Sequence, residues 1–423
     1  MSQSYLSIIT KDTDFWTNLE NLQRLLMSFS KPIKIESNFG ILNEAVINKQ
    51  ECTKNYPKDL TTFKPNGGPS KNMLLKKIED IFQDYVHKNS TKSLSVLALP
   101  NRKIWKNTSY TRERGLKLIE NPILQKIGNR SGPSSQKLIK VMHVLTKIHS
   151  LIKSNTYRTK RELYYEDVTI FKSQKELDDI LDDLACLLKT PKVQLHVLTT
   201  SKGCIAGHLK FKEAEGNYID CSKTTQGILL PNDISSITYI QSDARFILLV
   251  EKSAVFQMLL DSNFIEEFQP CILITGKGFP DVNTREMLRK LWDVLEIPIL
   301  GLVDADPYGI EILCVYKFGS MAMSFDVEKL AVPEIRWLGL LQTDIQRLKF
   351  PTAAVTPLTE NDMKKAMALL SRPYIQNNIQ WQRQIQLMLE QSVKAEIEGL
   401  SKLDSLFLSS IYLPNKIKYG GWI

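Results

Sequence analysis

Two apolar runs in this sequence end in acidic side chains, and acids so placed can hold a hard cation. Glu251 follows Phe246-Ile-Leu-Leu-Val250, and Asp304 and Asp306 follow Leu300-Gly-Leu-Val303 as Asp-Ala-Asp-Pro. In an extended chain, residues i and i+2 point to the same side, so both aspartates can face one crevice. Three carboxylates without histidine or cysteine suit Mg²⁺ rather than zinc. Asp306 can equally cap a helix opening at Pro307. Capping accounts for that acid but not for Glu251. Glu311 lies five residues beyond Asp306, off its helical face, and ranks as a lesser metal candidate. Gly276-Lys277-Gly278 closes a third run. It can bring amides and an ammonium near a phosphate, or serve only as a tight turn. No G-x-x-x-x-G-K-[ST] nucleotide loop occurs.

A second constellation is Arg161 and Tyr165, four residues apart and so on one face of a helix. A tyrosine hydroxyl can act as a nucleophile. Its reference pKa near 10 leaves only about 0.1% ionised at neutral pH, a deficit of roughly 4 kcal/mol. A neighbouring guanidinium favours the phenolate and can stabilise a pentavalent phosphate. The alternative is that the Tyr164-Tyr165 pair simply packs in a core.

These groups need elements to hold them. Thr159-Lys-Arg-Glu162 fits a capping box, so a helix is expected from Thr159 through Tyr165. Before it, Leu138, Val141, Met142, Leu145, Ile148 and Ile152 form the stripe of a helix starting at 132–134. Helix, turn and capped helix suggest a helix-turn-helix or winged-helix module, continued by strands at 193–199 and 205–211. Asp and Glu residues between 166 and 183 alternate with apolar ones, which predicts an amphipathic helix with a solvated acidic face. From about residue 240, strands at 245–250, 271–275 and 298–303 alternate with helices, which predicts a parallel sheet covered on both faces. Residues 381–403 read as helical. An earlier helix over 72–88 follows a Gly/Pro break at 66–69, and it can dock on a partner or pack on its own domain. Residues 1–65 are weakly patterned.

Composition narrows the class. The chain has 423 residues, 43% hydrophobic and 24% charged, with net charge +9. These values suit a globular protein of two or three domains. No apolar run approaches the length of a membrane span, and no secretory signal is expected at the start. The six cysteines form no C-x-x-C pair and read as free, buried thiols of a reducing compartment. Residues 101–162 carry fifteen lysines and arginines against three glutamates. That block matches a polyanion-binding surface, so binding is expected to weaken steeply with salt.

The quoted segments resemble a known family. Thr159–Phe171 (TKRELYYEDVTIF) is similar to the nucleophile motif of the A subunit of topoisomerase VI and its eukaryotic relatives, the meiotic double-strand-break transesterases. TSKGCIAG (200–207), ILLVEK (247–252), ITGKGFPDVNTR (274–285), LVDADPYGIEI (302–312), RWLGLL (336–341) and the terminal YLPNKIKYGGWI follow in order. The resemblance covers about residue 96 to the end, and the meiotic branch fits best. Ser253 departs from it, where relatives often carry an acid.

The resemblance implies an α+β and α/β multidomain chain. A winged-helix domain (96–235) would carry the nucleophile. A Toprim domain (240–423), a Rossmann-like parallel sheet, would have a helical C-terminal part. Residues 1–95 would be an extension whose 72–88 helix is the docking candidate. Tyr165 takes the role of nucleophile, Arg161 supports it, and Tyr164 packs. Glu251, Asp304 and Asp306 match the acids that bind Mg²⁺. Lys202, Lys277 and Phe279 would lie along the DNA. The implied reaction leaves a 5′-phosphotyrosyl link and a free 3′-hydroxyl, which initiates recombination in meiosis. Implied partners are double-stranded DNA, a second copy of the chain, accessory break-formation proteins and a transducer-like B subunit, on chromosomes in the nucleus. Alternatives are a general type IIB topoisomerase A subunit with strand passage, a non-catalytic DNA scaffold and a Toprim nuclease.

Overall fold

The computed structural model describes residues 70–423 apart from 91–94, 129–131, 214–215 and 268–269. The expectations for residues 1–65 and the 66–69 break lie outside the described residues. Helix α1 (Lys71–Ser90) leads into strand β1 (Val96–Pro100), which pairs antiparallel with β4 (Leu124–Gly128). Between them, β2 (Thr108–Thr111) and β3 (Gly115–Leu118) form a hairpin. Helices α2 (Gly132–Ser154), α3 (Lys160–Glu166) and α4 (Gln174–Leu188) follow, with a short parallel pair of β5 (Arg158–Thr159) and β6 (Val197–Leu198).

The apolar stripe expected on α2 is real: Leu138, Val141, Leu145 and Ile148 are buried in one core with Leu177, Leu181 and Leu184 of α4. Leu74 and Ile78 of α1 enter the same core, at 2% and 0% exposure. The 72–88 helix therefore packs on its own chain through these two residues. Its outward apolar residues are Met73 and Val86.

The acidic helix corrects one expectation. Its charges are not left to solvent but pair with the basic block. Asp178 meets Lys160 at 2.8 Å, Asp179 meets Lys103 at 3.1 Å, and Glu176 meets Lys140 at 2.7 Å. Asp183 takes both Arg102 at 2.9 Å and Lys137 at 3.1 Å. Sequence periodicity shows a polar face but not what lies across from it.

The larger sheet is built on four parallel strands, β12 (Phe246–Val250), β13 (Cys271–Thr275), β14 (Ile299–Leu302) and β15 (Arg336–Gly339). Strands β7 (Cys204–Gly207) and β10 (Ile228–Leu229) add an antiparallel edge. The strand order is β10-β7-β13-β12-β14-β15. So β7, expected as part of the first domain, belongs to this sheet, and the sheet reaches back past residue 240. Nearby in sequence, β8 (Lys210–Lys212), β9 (Tyr218–Asp220) and β11 (Tyr239–Gln241) form a separate three-stranded sheet. Alternate residues of β12 enter opposite cores: Ile247 and Leu249 one, Phe246, Leu248 and Val250 the other. That is the two-face coverage expected of continuous apolar strands.

Helices α5 (Ser253–Asp261), α6 (Val282–Leu295) and α7 (Pro307–Phe318) connect the strands. Later come α8 (Glu360–Leu370) and α9 (Ile379–Gln391). The helix expected to run to 403 stops at Ser392, whose φ of 55° ends it. The β2–β3 hairpin ties the two parts of the chain together. Leu116 is buried in the second core, and the Tyr110 ring lies edge-on to Phe318 at 5.8 Å. Gly115, at φ +78°, is required there, because a side chain would collide with the carbonyl of Phe318. Cys186, Cys204, Cys221, Cys271 and Cys314 are buried and unpaired, as expected of free thiols.

Candidate active site

Helix α3 is fixed by its start. Thr159 Oγ1 accepts the Glu162 amide at 3.2 Å, and Glu162 Oε2 accepts the Thr159 amide at 2.6 Å. This reciprocal cap satisfies two amides that a helix end leaves without partners. Leu163 turns into the core at 4% exposure, so Arg161 and Tyr165 face out. Tyr165 is 71% exposed, and its ring lies 5.7 Å from that of Tyr164, which is half-buried. At this exposure Tyr165 is not the core residue that the packing alternative requires.

The three acids follow the carboxyl ends of β12 and β14, where open α/β sheets bind ligands. Glu251 Oε2 accepts the Asp304 amide at 2.8 Å. Asp304 Oδ1 accepts the Ile397 amide at 2.8 Å, and its Oδ2 lies 2.9 Å from Lys252 Nζ. Asp306 caps α7, its Oδ1 accepting the Gly309 amide at 2.6 Å. Burial and the Asp304 charge push Glu251 up to about 8. Burial raises Asp304 to about 6 against the pull of Lys252 and the Ile397 amide. Burial also raises Asp306. Burial lowers the Lys252 ammonium, but Asp304, Glu396 and Glu398 outweigh it and hold the group above its ordinary value.

The Gly-Lys-Gly turn hangs on the same strand end. The Gly278 amide donates to the carbonyl of Glu251 at 2.8 Å, and Thr275 Oγ1 donates to that carbonyl at 3.3 Å. Lys202 Nζ donates to the Lys277 carbonyl at 3.4 Å, and the Lys202 amide donates to Asp281 at 2.7 Å. Lys202, Lys277 and Phe279 are all exposed, so the structure gathers these three beside Glu251.

Some sequence candidates stand apart. Glu311 pairs with Lys365 and Arg372, which hold its carboxyl below the ordinary value against burial. It faces α8, not the other acids, as its five-residue offset from Asp306 dictates. Tyr165 shares no hydrogen bond, ion pair or ring contact with Glu251, Asp304 or Asp306 among the described residues. Nor do any three of His, Cys, Asp and Glu among them form a ready metal cage. Sequence reasoning missed Lys252, Glu396 and Glu398. Lys252 adjoins Glu251, but its partners are 144 and 146 residues away.

Known proteins resemble this chain over both of its parts. Residues 246–417 match the family model for the topoisomerase 6 A subunit/Spo11, Toprim domain, and residues 136–197 match the one for type IIB DNA topoisomerase. The meiotic recombination protein SPO11 of Mus musculus is 44% identical, over 84% of this chain and 89% of its own. That of Homo sapiens is 43% identical, over 85% and 91%. The A subunit of DNA topoisomerase 6 of Arabidopsis thaliana is 40% identical, over 69% and 68%. With identity this high over most of both chains, this protein belongs to the topoisomerase 6 A subunit/Spo11 family.

Proposed function

We propose that this chain is the catalytic subunit that makes DNA double-strand breaks in meiosis, with Tyr165 as the nucleophile. The observation that carries the reading is the exposure of Tyr165 on a capped helix, in a chain strongly alike to meiotic recombination proteins. The mammalian meiotic proteins match at higher identity than either the plant or the archaeal topoisomerase subunit, which favours break formation over general strand passage.

Tyr165 Oη attacks a backbone phosphorus as the bond to the 3′-oxygen breaks. The phenolic proton ends on that oxygen, leaving a 5′-phosphotyrosyl link and a 3′-hydroxyl. Bond energy is kept, so cleavage itself consumes no nucleotide. Arg161, one turn before Tyr165, offsets the negative charge that builds on the phosphate. Lys202, Lys277 and Phe279 line the DNA path beside the acids. Helices α2–α4 with β1 and β4 form the DNA-binding unit, a winged-helix arrangement over residues 96–198.

The acids fit Mg²⁺. They are hard oxygen donors, one already draws a lysine ammonium, and a side chain at Gly309 would come within 2.9 Å of Glu251 Oε2. Bound there by Glu251, Asp304 and Asp306, Mg²⁺ would supply a Lewis acid toward the phosphate. Glu251, held by the Asp304 amide, and Asp306, held by the Gly309 amide, keep fixed orientations for this. The active form is a dimer, as the family resemblance implies, in which each Tyr165 serves the partner's acids, and the lack of any contact between Tyr165 and the acids of its own chain supports that. Each dimer cuts both strands. The ATP-dependent work falls to a B-type partner with other accessory proteins, on chromosomes in the nucleus.

The chemistry of the ends tests this. Breaks made by the chain should carry 3′-hydroxyls open to terminal transferase and 5′ ends that stay blocked after proteolysis. Free 5′-phosphates would assign hydrolysis instead.

A further inference from the structure

The acid-rich end of the sheet already holds a cation of its own. Lys252 Nζ lies 2.9 Å from Asp304 Oδ2, 2.9 Å from Glu396 Oε2 and 2.9 Å from Glu398 Oε2. An ammonium has three N–H donors, so all three are committed to carboxylates. Ala305 and Ala395 also exchange backbone hydrogen bonds at 3.0 and 3.2 Å, and the Ile397 amide holds the other oxygen of Asp304. Residues 395–398 are thus stapled to Asp304 through backbone and side chain together. The three carboxylates differ in setting: Asp304 is 6% exposed at its side chain, Glu398 39% and Glu396 71%.

We propose that Lys252 is a tethered counter-ion that competes with the divalent cation for Asp304 and shifts onto Glu396 and Glu398 when that cation enters. This rests on the metal reading given above. A buried carboxylate without a positive partner is costly, so Lys252 stabilises Asp304 in the metal-free chain. A divalent cation at Asp304 repels the ammonium at short range. The two outer carboxylates let it retreat with two of its three hydrogen bonds intact. Lys252 is therefore a positioning residue that sets metal affinity rather than a ligand.

The test uses the full chain and Mn²⁺ alone, with Kd read by electron paramagnetic resonance and Tm taken without metal. Lys252→Met should tighten Mn²⁺ binding at least fivefold and lower the metal-free Tm. Glu396→Gln with Glu398→Gln should weaken binding at least fivefold, since Lys252 then has only Asp304. Mere long-range charge makes these effects multiply. Exchange makes them interdependent, so in the Lys252→Met background the glutamine pair should weaken binding less than twofold. Binding no tighter in Lys252→Met, or effects that multiply, overturns the proposal. If Lys252→Met does not fold, the exposed glutamine pair decides, and unchanged affinity there overturns it. A wild-type chain that binds Mn²⁺ no better than Asp304→Asn overturns the metal reading and this one together.

Discussion

The backbone amide of Asp304 donates to the side chain of Glu251 at 2.8 Å, joining the ends of β12 and β14 at the point where their carboxylates gather. One hydrogen bond therefore orients the first acid by the backbone of the second. Glu251→Gln keeps an oxygen for that amide but can never present an anionic carboxylate to a cation. It should fold normally and abolish divalent-metal binding, as read by calorimetry. Retained binding would move the metal elsewhere.

The cap of α3 should matter more for cleavage than for stability. Thr159→Ala removes one side of the capping box and costs about 1 kcal/mol. The predicted result is a small fall in Tm with a much larger loss of cleavage, because Tyr165 lies within two turns of the cap. Parallel losses in both would mean that α3 is merely structural.

Ile78 is fully buried, so Ile78→Asp should cost about 4 kcal/mol or more and unfold the first core. It cannot report on docking. Met73→Asp and Val86→Asp, at two exposed positions on opposite flanks of the helix, should leave Tm within about 1 °C by the usual tolerance of surface sites. If α1 docks the B-type partner, these two variants lose it in a pull-down, and retention assigns docking elsewhere.

The salt dependence of DNA binding should be shallower than the basic block suggests. Nine of its fifteen basic residues form ion pairs within the chain. Lys106, Arg112, Lys126, Lys153 and Arg161 form none among the described residues, and Arg130 lies outside them. Five phosphate contacts give a log–log slope of about −4.5 per chain from this block. Arg112→Ala should flatten the slope by about 1 on the same basis, and Lys137→Ala should not change it. Equal effects of the two would show that the internal pairs open on DNA.

Glu286 offers a pH test away from the acids. Burial, with Asp326 and Asp233 nearby, pushes it up to about 7. A raised carboxyl binds its proton more tightly in the folded chain. Its contribution is complete below the ordinary range and is lost as pH rises from about 5 through 7. Glu286→Gln should therefore flatten the fall of Tm over that window and raise Tm at pH 8. An unchanged profile would place the charge of Glu286 in water.

What can be read from sequence follows from the range of the interactions. The cap at Thr159, the strand ends at Glu251 and Asp304, and the cap at Asp306 are local, and their spacing states them. Strand β7 falls outside its expected domain because an antiparallel edge strand carries no mark of which sheet takes it. The pairing of α4 with the basic block, and of Lys252 with Glu396 and Glu398, joins charges far apart in sequence. Each partner alone reads as a solvated side chain. That Tyr165 makes no contact with the acids of its own chain has no local mark in the sequence either, and only the resemblance, through the second copy it implies, points to it.

The central claim is that Tyr165 becomes covalently joined to DNA. It is tested by recovering DNA attached to this chain, after strong denaturation, from cells in meiosis that carry wild type, Tyr165→Phe or Tyr164→Phe. The account predicts adducts in wild type and Tyr164→Phe and none in Tyr165→Phe. Adducts that persist in Tyr165→Phe, or broken DNA with no adduct in wild type, would contradict it.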